Sequence, residues 1–199
     1  MATVILLHGS GGNLDELGPL AQYLPAGLEL LAVEAPRRIH DPDWRTPTYQ
    51  WFDIQEPGTP EPVTFGDSLF QLEQLVYEVS KAHQRKSKSL YLLGHEQGAL
   101  LGLAISLVLP DYLSGVVAIC GCLPQIAAWP LPHIDLDGLP YLLIYDRGDI
   151  ELPKDLVLAT AKAIRERGGA PKLRAVTGAR NLNPSVSKAV REWLRMRAH

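Results

Sequence analysis

Short apolar runs alternate along the chain with segments of helical periodicity. The runs have the length of strands and are continuously apolar, which is typical of strands buried on both faces of a parallel sheet. Six strands are predicted, at Thr3–Leu7, Leu28–Val33, Leu90–Leu93, Gly115–Ile119, Tyr141–Tyr145 and Leu173–Val176. Because strands alternate with helices, the pattern predicts an α/β fold with helices on both faces of the sheet.

Four helices are predicted, over residues 65–83, 96–109 and 153–167 and from residue 184 onward. The first has apolar side chains at steps of three and four residues along one face. The second is almost wholly apolar, which predicts a helix buried on most of its sides. Pro153 is expected in the first turn of the third helix, and Asn183 is expected to be the N-cap of the fourth.

The segment from Ala35 to Thr64 differs from the rest of the chain. It is long and rich in Pro, Asp and aromatic residues. A long irregular segment in a compact domain is usually functional or mobile, so we expect residues 35–64 to form a loop that covers the site. The chain has no repeat and no linker-like stretch, so residues 1–199 are predicted to form a single domain.

Composition and charge narrow the classes of function. The 199 residues are 46% hydrophobic and 21% charged, as in an ordinary globular domain. A net charge of −3 leaves no basic excess for a nucleic-acid partner. No apolar run reaches the roughly 18 residues of a membrane-spanning helix, and the N-terminus lacks the pattern of a signal peptide. We therefore expect a cytoplasmic protein without stable membrane insertion; its oligomeric state is not predicted.

The chain contains two cysteines and six histidines, the residue types that most often serve as metal ligands or reactive groups. Cys120 and Cys122 are one residue apart, which suits neither a disulfide nor a zinc site and favours buried thiols in a reducing compartment. No histidine and carboxylate cluster has the spacing of a metal site. The sequence therefore predicts no metal and no cofactor.

A Gly-x-x-x-Gly turn joins the third predicted strand to the apolar helix. Gly94 and Gly98 lie two residues on either side of Glu96. This is the layout of a nucleophile elbow, G-x-S-x-G, in which a strained turn projects the central side chain beyond the sheet edge and the neighbours must be small. The spacing alone is a weak signal, and its strand–turn–helix setting makes it more specific.

A glycine-rich turn, residues 8–13, follows the first strand. Such a turn directs backbone N–H groups into the cavity, where they form an oxyanion hole with the N–H of the residue after the elbow. The expected donors are Ser10 and Gln97, with Gly9 in the same turn. The alternatives are a plain tight turn or a phosphate loop, whereas the spacing of a dinucleotide fingerprint is not present.

These motifs resemble, in order and nearly from end to end, the phospholipase/carboxylesterase family of α/β-hydrolases, which includes the acyl-protein thioesterases. The matching features are Leu7-His8-Gly9, Ala35-Pro36, Trp51-Phe52-Asp53, Gly94–Gly98, Cys120–Pro124, Asp149 followed by Pro153, and Thr177–Pro184. The resemblance implies an α/β-hydrolase fold, with a minimal and mostly parallel six-stranded sheet flanked by helices and no separate cap domain. It also implies a small ester-like or apolar ligand. Trp51 and Phe52 would either line its groove or anchor the long loop to the core.

The same resemblance places the family's catalytic positions on Glu96, Asp149 and Arg180. The nucleophilic serine would fall at Glu96, the acid is retained as Asp149, and Arg180 takes the place of the histidine. A shift of one residue in the alignment would put Asn181 there instead. The serine mechanism needs a hydroxyl and a base with a pKa near 7. Glutamate offers no hydroxyl, and arginine does not accept a proton near neutrality.

The two replacements make electrostatic sense together. A partly buried carboxylate is costly unless it is paired, and a guanidinium can bond two carboxylates at once. We therefore predict an ion-pair chain Asp149–Arg180–Glu96. His95 is expected to point away from the cavity, and His40 and His133 are expected in loops.

Several functions remain open at this point. One is a hydrolase relative that binds a ligand without catalysis. A second uses Glu96 as a carboxylate nucleophile, as an aspartate does in relatives that open epoxides or displace halides. A third is residual esterase or thioesterase activity, with Glu96 as general base for water and the oxyanion hole intact. A fourth is a pure interaction module.

Overall fold

The computed structural model describes residues 2–39, 46–82, 89–126 and 134–198. The strands are β1 Thr3–Leu7, β2 Glu29–Val33, β3 Arg37–Ile39, β4 Thr48–Gln50, β5 Ile54–Glu56, β6 Thr59–Pro60, β7 Leu90–His95, β8 Gly115–Ile119, β9 Pro140–Tyr145 and β10 Ala170–Ala175. The helices are α1 Gly18–Ala21, α2 Pro62–Ala82, α3 Gln97–Val108, α4 Lys154–Glu166 and α5 Pro184–Arg195. Two short 3-10 turns lie at Pro110–Tyr112 and Ala179–Asn181.

Six parallel strands form the central sheet, in the order β10-β9-β8-β7-β1-β2. The predicted α/β-hydrolase fold with six strands flanked by helices is therefore confirmed. Strand β7 lies between β1 and β8, so the turn that follows it opens at the middle of the sheet's carboxyl edge. In parallel sheets this edge is where ligands bind.

Burial is deepest around α3 and the three central strands. Every residue of β1, β7 and β8 is buried, as are residues 97–107 of α3. The apolar stretch therefore forms the buried helix that its composition predicts, and each large apolar side chain placed there contributes about 1.5–3 kcal/mol. This packing fixes the start of α3, and with it the turn at Glu96.

The starts of one helix and one strand differ from the prediction. A capping side chain sets the start of the helix, and the strand lies at the edge of the sheet. Helix α2 begins at Pro62, three residues early, because the carboxylate of Glu61 accepts the N–H groups of Val63 and Thr64. Strand β10 begins three residues before its predicted start. It is an edge strand whose residues alternate between exposed and partly buried, so its first half does not form a continuous apolar run. The N-cap role of Asn183 is confirmed.

The segment 35–64 is less irregular than expected. It contains two short antiparallel pairs, β3 with β4 and β5 with β6, and residues 40–45 within it lie outside the described residues. The predicted end of the first helix, at His83, also lies outside them. Of the helices in the described ranges, none is both long enough and apolar enough to cross a bilayer.

Candidate active site

Glu96 occupies a sharp turn between β7 and α3. Its backbone is in the positive-φ region, with φ 47° and ψ −109°, a conformation that costs a non-glycine residue of order 1–3 kcal/mol. A Cβ on Gly98 would overlap the carbonyl oxygen of Leu7, and one on Gly94 would overlap that of Gly98. The turn therefore has the geometry of a nucleophile elbow, with both glycines required by close backbone contacts.

The guanidinium of Arg180 lies between two carboxylates at this edge of the sheet. Its Nη2 donates to Asp149 Oδ2 at 2.8 Å and Oδ1 at 3.0 Å, and its Nη1 donates to Glu96 Oε1. The predicted ion-pair chain is thus present in the structure. Asn181, the alternative position, is exposed. A third carboxylate, Glu151, lies 3.1 Å from Nη1 and was not assigned to the cluster from the sequence.

The charges around Arg180 shift its pKa. Burial lowers the pKa of Arg180, but the charge of Glu96, the hydrogen bond and charge of Asp149, and the charge of Glu151 raise it by more. The net shift is upward from a value that is already too high for proton exchange near neutrality. Arg180 is therefore a permanent cation in this site and cannot act as a base.

Two aspartates hold the loops that carry this cluster. Asp149 is buried and its Oδ1 accepts the N–H groups of Glu151 and Leu152 at 2.9 and 3.1 Å. Asp146 accepts the N–H of Gly148 at 3.0 Å and that of Gly178 at 2.5 Å. Asp146 thereby ties the end of β9 to the turn that carries Arg180.

Two of the residues expected at an oxyanion hole lie beside the elbow turn. Ser10 and Gln97 line the cavity beside Glu96, and as the first residue of α3 Gln97 has a backbone N–H without an acceptor in the helix. The assignment of Gly9 is wrong, because its N–H donates to Glu16 Oε1 at 2.8 Å and so does not face the cavity.

Trp51 and Phe52 anchor the long segment and do not line the cavity. They are 2% and 0% exposed. Trp51 Nε1 donates to the carbonyl of His8 at 2.8 Å, and Phe52 packs edge-on against Phe65. The side-chain amide of Gln97 bonds the backbone of both residues. Their assignment as groove residues is therefore wrong, and their role as anchors of the loop is confirmed.

A cavity of about 720 Å³ opens at this edge of the sheet. Residues 50–58 of the long segment form part of one wall, and α3, the end of β8 and the β9–α4 connection form others. Its lining residues are Ser10, Gln50, Asp53, Ile54, Pro57, Gly58, Glu96, Gln97, Leu100, Cys120, Gly121, Cys122, Ile150, Glu151, Leu152 and Arg180. The volume is typical of a small-molecule site.

Two cysteine side chains line the same cavity. Cys120 and Cys122 are free and buried, as expected. Burial raises the pKa of both thiols to about 12. Near neutrality almost none of either side chain is thiolate, which is the nucleophilic form.

His95 lies closer to Glu96 than the sequence led us to expect. Its side chain is 6% exposed and is not part of the cavity lining, but its Nε2 lies 3.9 Å from Glu96 Oε1. Its Nδ1 is bonded to Glu16 Oε1 at 2.6 Å, and its buried Nε2 has no hydrogen-bond partner among the described residues. Glu16 is therefore a residue that sequence reasoning missed, and His95 approaches Glu96 from the interior.

The other histidines are not part of this cluster in the described residues. His8 is buried, and its Nε2 accepts the N–H of Ala35 at 3.0 Å. His40, His83, His133 and His199 lie outside the described residues. Within those residues, no group of three or more His, Cys, Asp or Glu side chains is placed to hold a metal ion.

Comparisons with known proteins match nearly the whole chain to one family model. A model of the phospholipase/carboxylesterase family matches residues 1–195. Acyl-protein thioesterase 1 of Saccharomyces cerevisiae is 34% identical over 131 residues, which are 60% of this chain and 57% of that protein. The chain spans about half the length of the curated relatives that it matches.

Solved structures show the same fold. A carboxylesterase from Mesorhizobium loti has a TM-score of 0.83 at 22% identity, covering 98% of this chain and 88% of that one. SOBER1 of Arabidopsis thaliana has a TM-score of 0.81 at 18% identity, covering 100% and 99%. At these identities the likeness establishes the fold, and the activity has to be argued from the site.

Proposed function

The chain belongs to the phospholipase/carboxylesterase family, and from this premise we propose that it is a ligand-binding member that does not perform serine-type ester hydrolysis. In this proposal Glu96, Asp149 and Arg180 occupy the three triad positions. Glu96 has no hydroxyl to attack an ester carbonyl. Arg180 cannot take the proton that such an attack would release. The two steps that start acyl transfer therefore lack their groups.

One observation carries the proposal: a single guanidinium bonds both Glu96 and Asp149. Each carboxylate is only partly exposed, at 19% and 5% of its side chain. A buried carboxylate that lost its cation would be left uncompensated, which is strongly unfavourable. We call this arrangement, the guanidinium of Arg180 bonded to Glu96 and Asp149, the clamp. In this proposal the clamp keeps both carboxylates ionised and paired, and none of its three side chains transfers a proton.

Ligand binding is supported by the cavity that remains beside the clamp. It has the volume of a small-molecule site, and Ser10 and Gln97 still line it where an oxyanion hole would be. The family's carboxylesterases and acyl-protein thioesterases act on esters and thioesters, so a small ester-like or apolar ligand is the class we propose.

Restoring the triad tests the proposal. We expect no hydrolysis of p-nitrophenyl acetate or of a short acyl-thioester by the unaltered chain. Glu96→Ser combined with Arg180→His should gain activity, and it should exceed Glu96→Ser alone by about 10²-fold or more, because a general base contributes 10²–10⁴. Circular dichroism verifies that each variant is folded.

A matched control changes the same residue types away from the cavity. Glu56→Ser with Arg174→His alters two exposed positions on β5 and β10 and should gain no activity. Equal activity of Glu96→Ser with and without Arg180→His would contradict the assignment of Arg180 to the base position.

A second candidate function is favoured by the position of His95. Here Glu96 acts as carboxylate nucleophile, or as general base, on a small ester, thioester or epoxide. In the nucleophilic version a Glu96 oxygen attacks an epoxide carbon, the ring C–O bond breaks, the ring oxygen takes a proton from water, and a glutamyl ester of the product alcohol forms. His95, oriented by Glu16, then removes a proton from the water that attacks the glutamyl carbonyl and releases the product. With an ester or thioester, Glu96 acts as the general base for an attacking water. The gap of 3.9 Å between Nε2 and Oε1 is the observation that favours it.

Isotope labelling distinguishes the nucleophilic version of this candidate from the ligand-binding proposal. A single turnover in ¹⁸O-water would place the heavy oxygen in the peptide that contains Glu96, as seen by mass spectrometry, and His95→Asn would abolish the incorporation. Our account expects no incorporation. Incorporation that depends on His95 would replace the ligand-binding proposal with this one.

A further inference from the structure

We propose that the cavity selects an amphipathic cation, an ammonium group with a short apolar tail; this inference rests on the proposed ligand-binding function. Within the described lining, Asp53, Glu96 and Glu151 are carboxylates and Arg180 is the one cationic side chain, so negative charges exceed positive charges by two. Asp149 adds a further carboxylate directly behind Arg180. The cavity wall therefore favours a positive ligand near neutral pH, where carboxylates are ionised.

Both terminal nitrogens of Arg180 are already bonded to carboxylates, which disfavours an anionic ligand there. Its Nη2 is bonded to both oxygens of Asp149, and its Nη1 contacts Glu96 and Glu151. A ligand carboxylate would have to displace one of these partners and would then meet the remaining negative charges. Repulsion of this kind discriminates between ligands as effectively as attraction does.

The carboxylates lie on separate walls, so that a cation between them would be approached from more than one side. Asp53 is on the long segment and Glu151 is on the β9–α4 connection, and both are exposed. One oxygen of Asp53 accepts the side-chain amide of Gln50 at 2.5 Å. Glu96 lies deeper, where α3 begins. An ammonium group has three donors, and carboxylates on different walls can accept them together.

An apolar tail has its own surface at the same cavity. Leu100 and Leu152 are buried wall residues. Ile54 and Ile150 line the cavity at its exposed side, at 48% and 91% exposure. Exposed isoleucines beside a cavity are surfaces that a ligand tail would remove from water. Acidic residues alone would form an ordinary solvated surface, and it is their combination with these apolar lining residues that specifies the ligand.

Three ligands of one tail length test the inference. The protein is titrated with n-hexylamine, 1-hexanol and hexanoate by calorimetry at neutral pH and low ionic strength. We expect the amine to bind most tightly, the alcohol more weakly and hexanoate not measurably. Added salt should weaken binding of the amine and leave that of the alcohol unchanged, because salt screens charges and not apolar contacts.

Charge-removing variants connect the binding to the cavity. Asp53→Asn and Glu151→Gln should each weaken binding of the amine about two- to fivefold, the range for exposed ion pairs, without changing binding of the alcohol. Both residues are exposed, so the fold should be retained. Glu56→Gln is the matched control, because Glu56 is exposed on β5 and is not part of the lining.

The possible results separate this inference from the proposed function. Binding of hexanol or hexanoate as tight as that of hexylamine would overturn the charge selection while leaving ligand binding supported. Absence of hexylamine binding, or equal losses with Glu56→Gln, would also overturn the inference. Hydrolysis by the unaltered chain would overturn the proposed function, and it is measured in a separate assay.

Discussion

At the scale of single residues, the centre of the site is the charge balance between Arg180 and the carboxylates of Glu96 and Asp149. The pairing of Arg180 with two carboxylates was predictable, because a partly buried carboxylate needs a cationic partner whatever the exact positions of the side chains. The assignments that were wrong depended on which side chains are buried and on where a backbone N–H points. Trp51 and Phe52 are apolar in either role, and only the folded segment shows that they face the core. The N–H of Gly9 faces Glu16, which no local pattern in the sequence indicates.

The pH dependence of stability tests the positioning role of Asp146. Backbone hydrogen bonds from Gly148 and Gly178 hold the pKa of Asp146 below its ordinary value of 3.8. The unfolded chain therefore takes up this proton first as the pH falls. The contribution of Asp146 to the free energy of unfolding is therefore fully present above about pH 4. It is lost as the pH falls through the lower pKa that Asp146 has in the folded state.

Asp146→Asn should remove this contribution. We expect the variant to be less stable than the unaltered chain at pH 7, and the difference between the two to shrink as the pH falls below about 4. Urea unfolding at a series of pH values measures it. A difference that stays constant down to pH 2.5 would show that the charge of Asp146 does not hold the turn that carries Arg180.

At the scale of elements, buried strands and long helices were predictable and short or edge elements were not. Strands β1 and β8 match their predicted bounds because they are apolar throughout. The paired strands of the segment 35–64 have two or three residues each, too few to display a period. Strand β10 alternates in burial because it lies at the sheet edge.

The start of α3 provides a matched pair of glycine substitutions. A Cβ at residue 98 would overlap the backbone of Leu7, so Gly98→Ala must displace α3 or β1 and should destabilise by about 1–3 kcal/mol or more. Gly102→Ala lies one turn later, where the nearest atoms are 3.8 Å away. It should be neutral or stabilise by up to about 1 kcal/mol, because alanine favours the helix.

Urea unfolding compares the two variants directly. Equal stabilities for Gly98→Ala and Gly102→Ala would show that the tight approach of α3 to β1 does not fix the elbow. The comparison concerns the scaffold alone and is independent of what the site binds.

At the scale of the whole molecule, the sheet brings the clamp together from distant parts of the chain. Arg180 is 84 residues from Glu96 and 31 residues from Asp149. Each follows a strand of the same parallel sheet, so the order of strands places all three at one edge. The sequence predicted this edge and its residues. It did not predict the Glu16–His95 pair, because that contact depends on how the glycine-rich turn folds back over the elbow.

Steady-state hydrolysis of p-nitrophenyl acetate by the unaltered chain, measured beside Glu96→Gln, tests the central claim most directly. The amide retains the shape of the glutamate but can serve neither as nucleophile nor as base. We propose that the site lacks the groups that start acyl transfer, so both proteins should hydrolyse the ester at the same background rate, without saturation. Saturable turnover by the unaltered chain that disappears in Glu96→Gln would contradict the account.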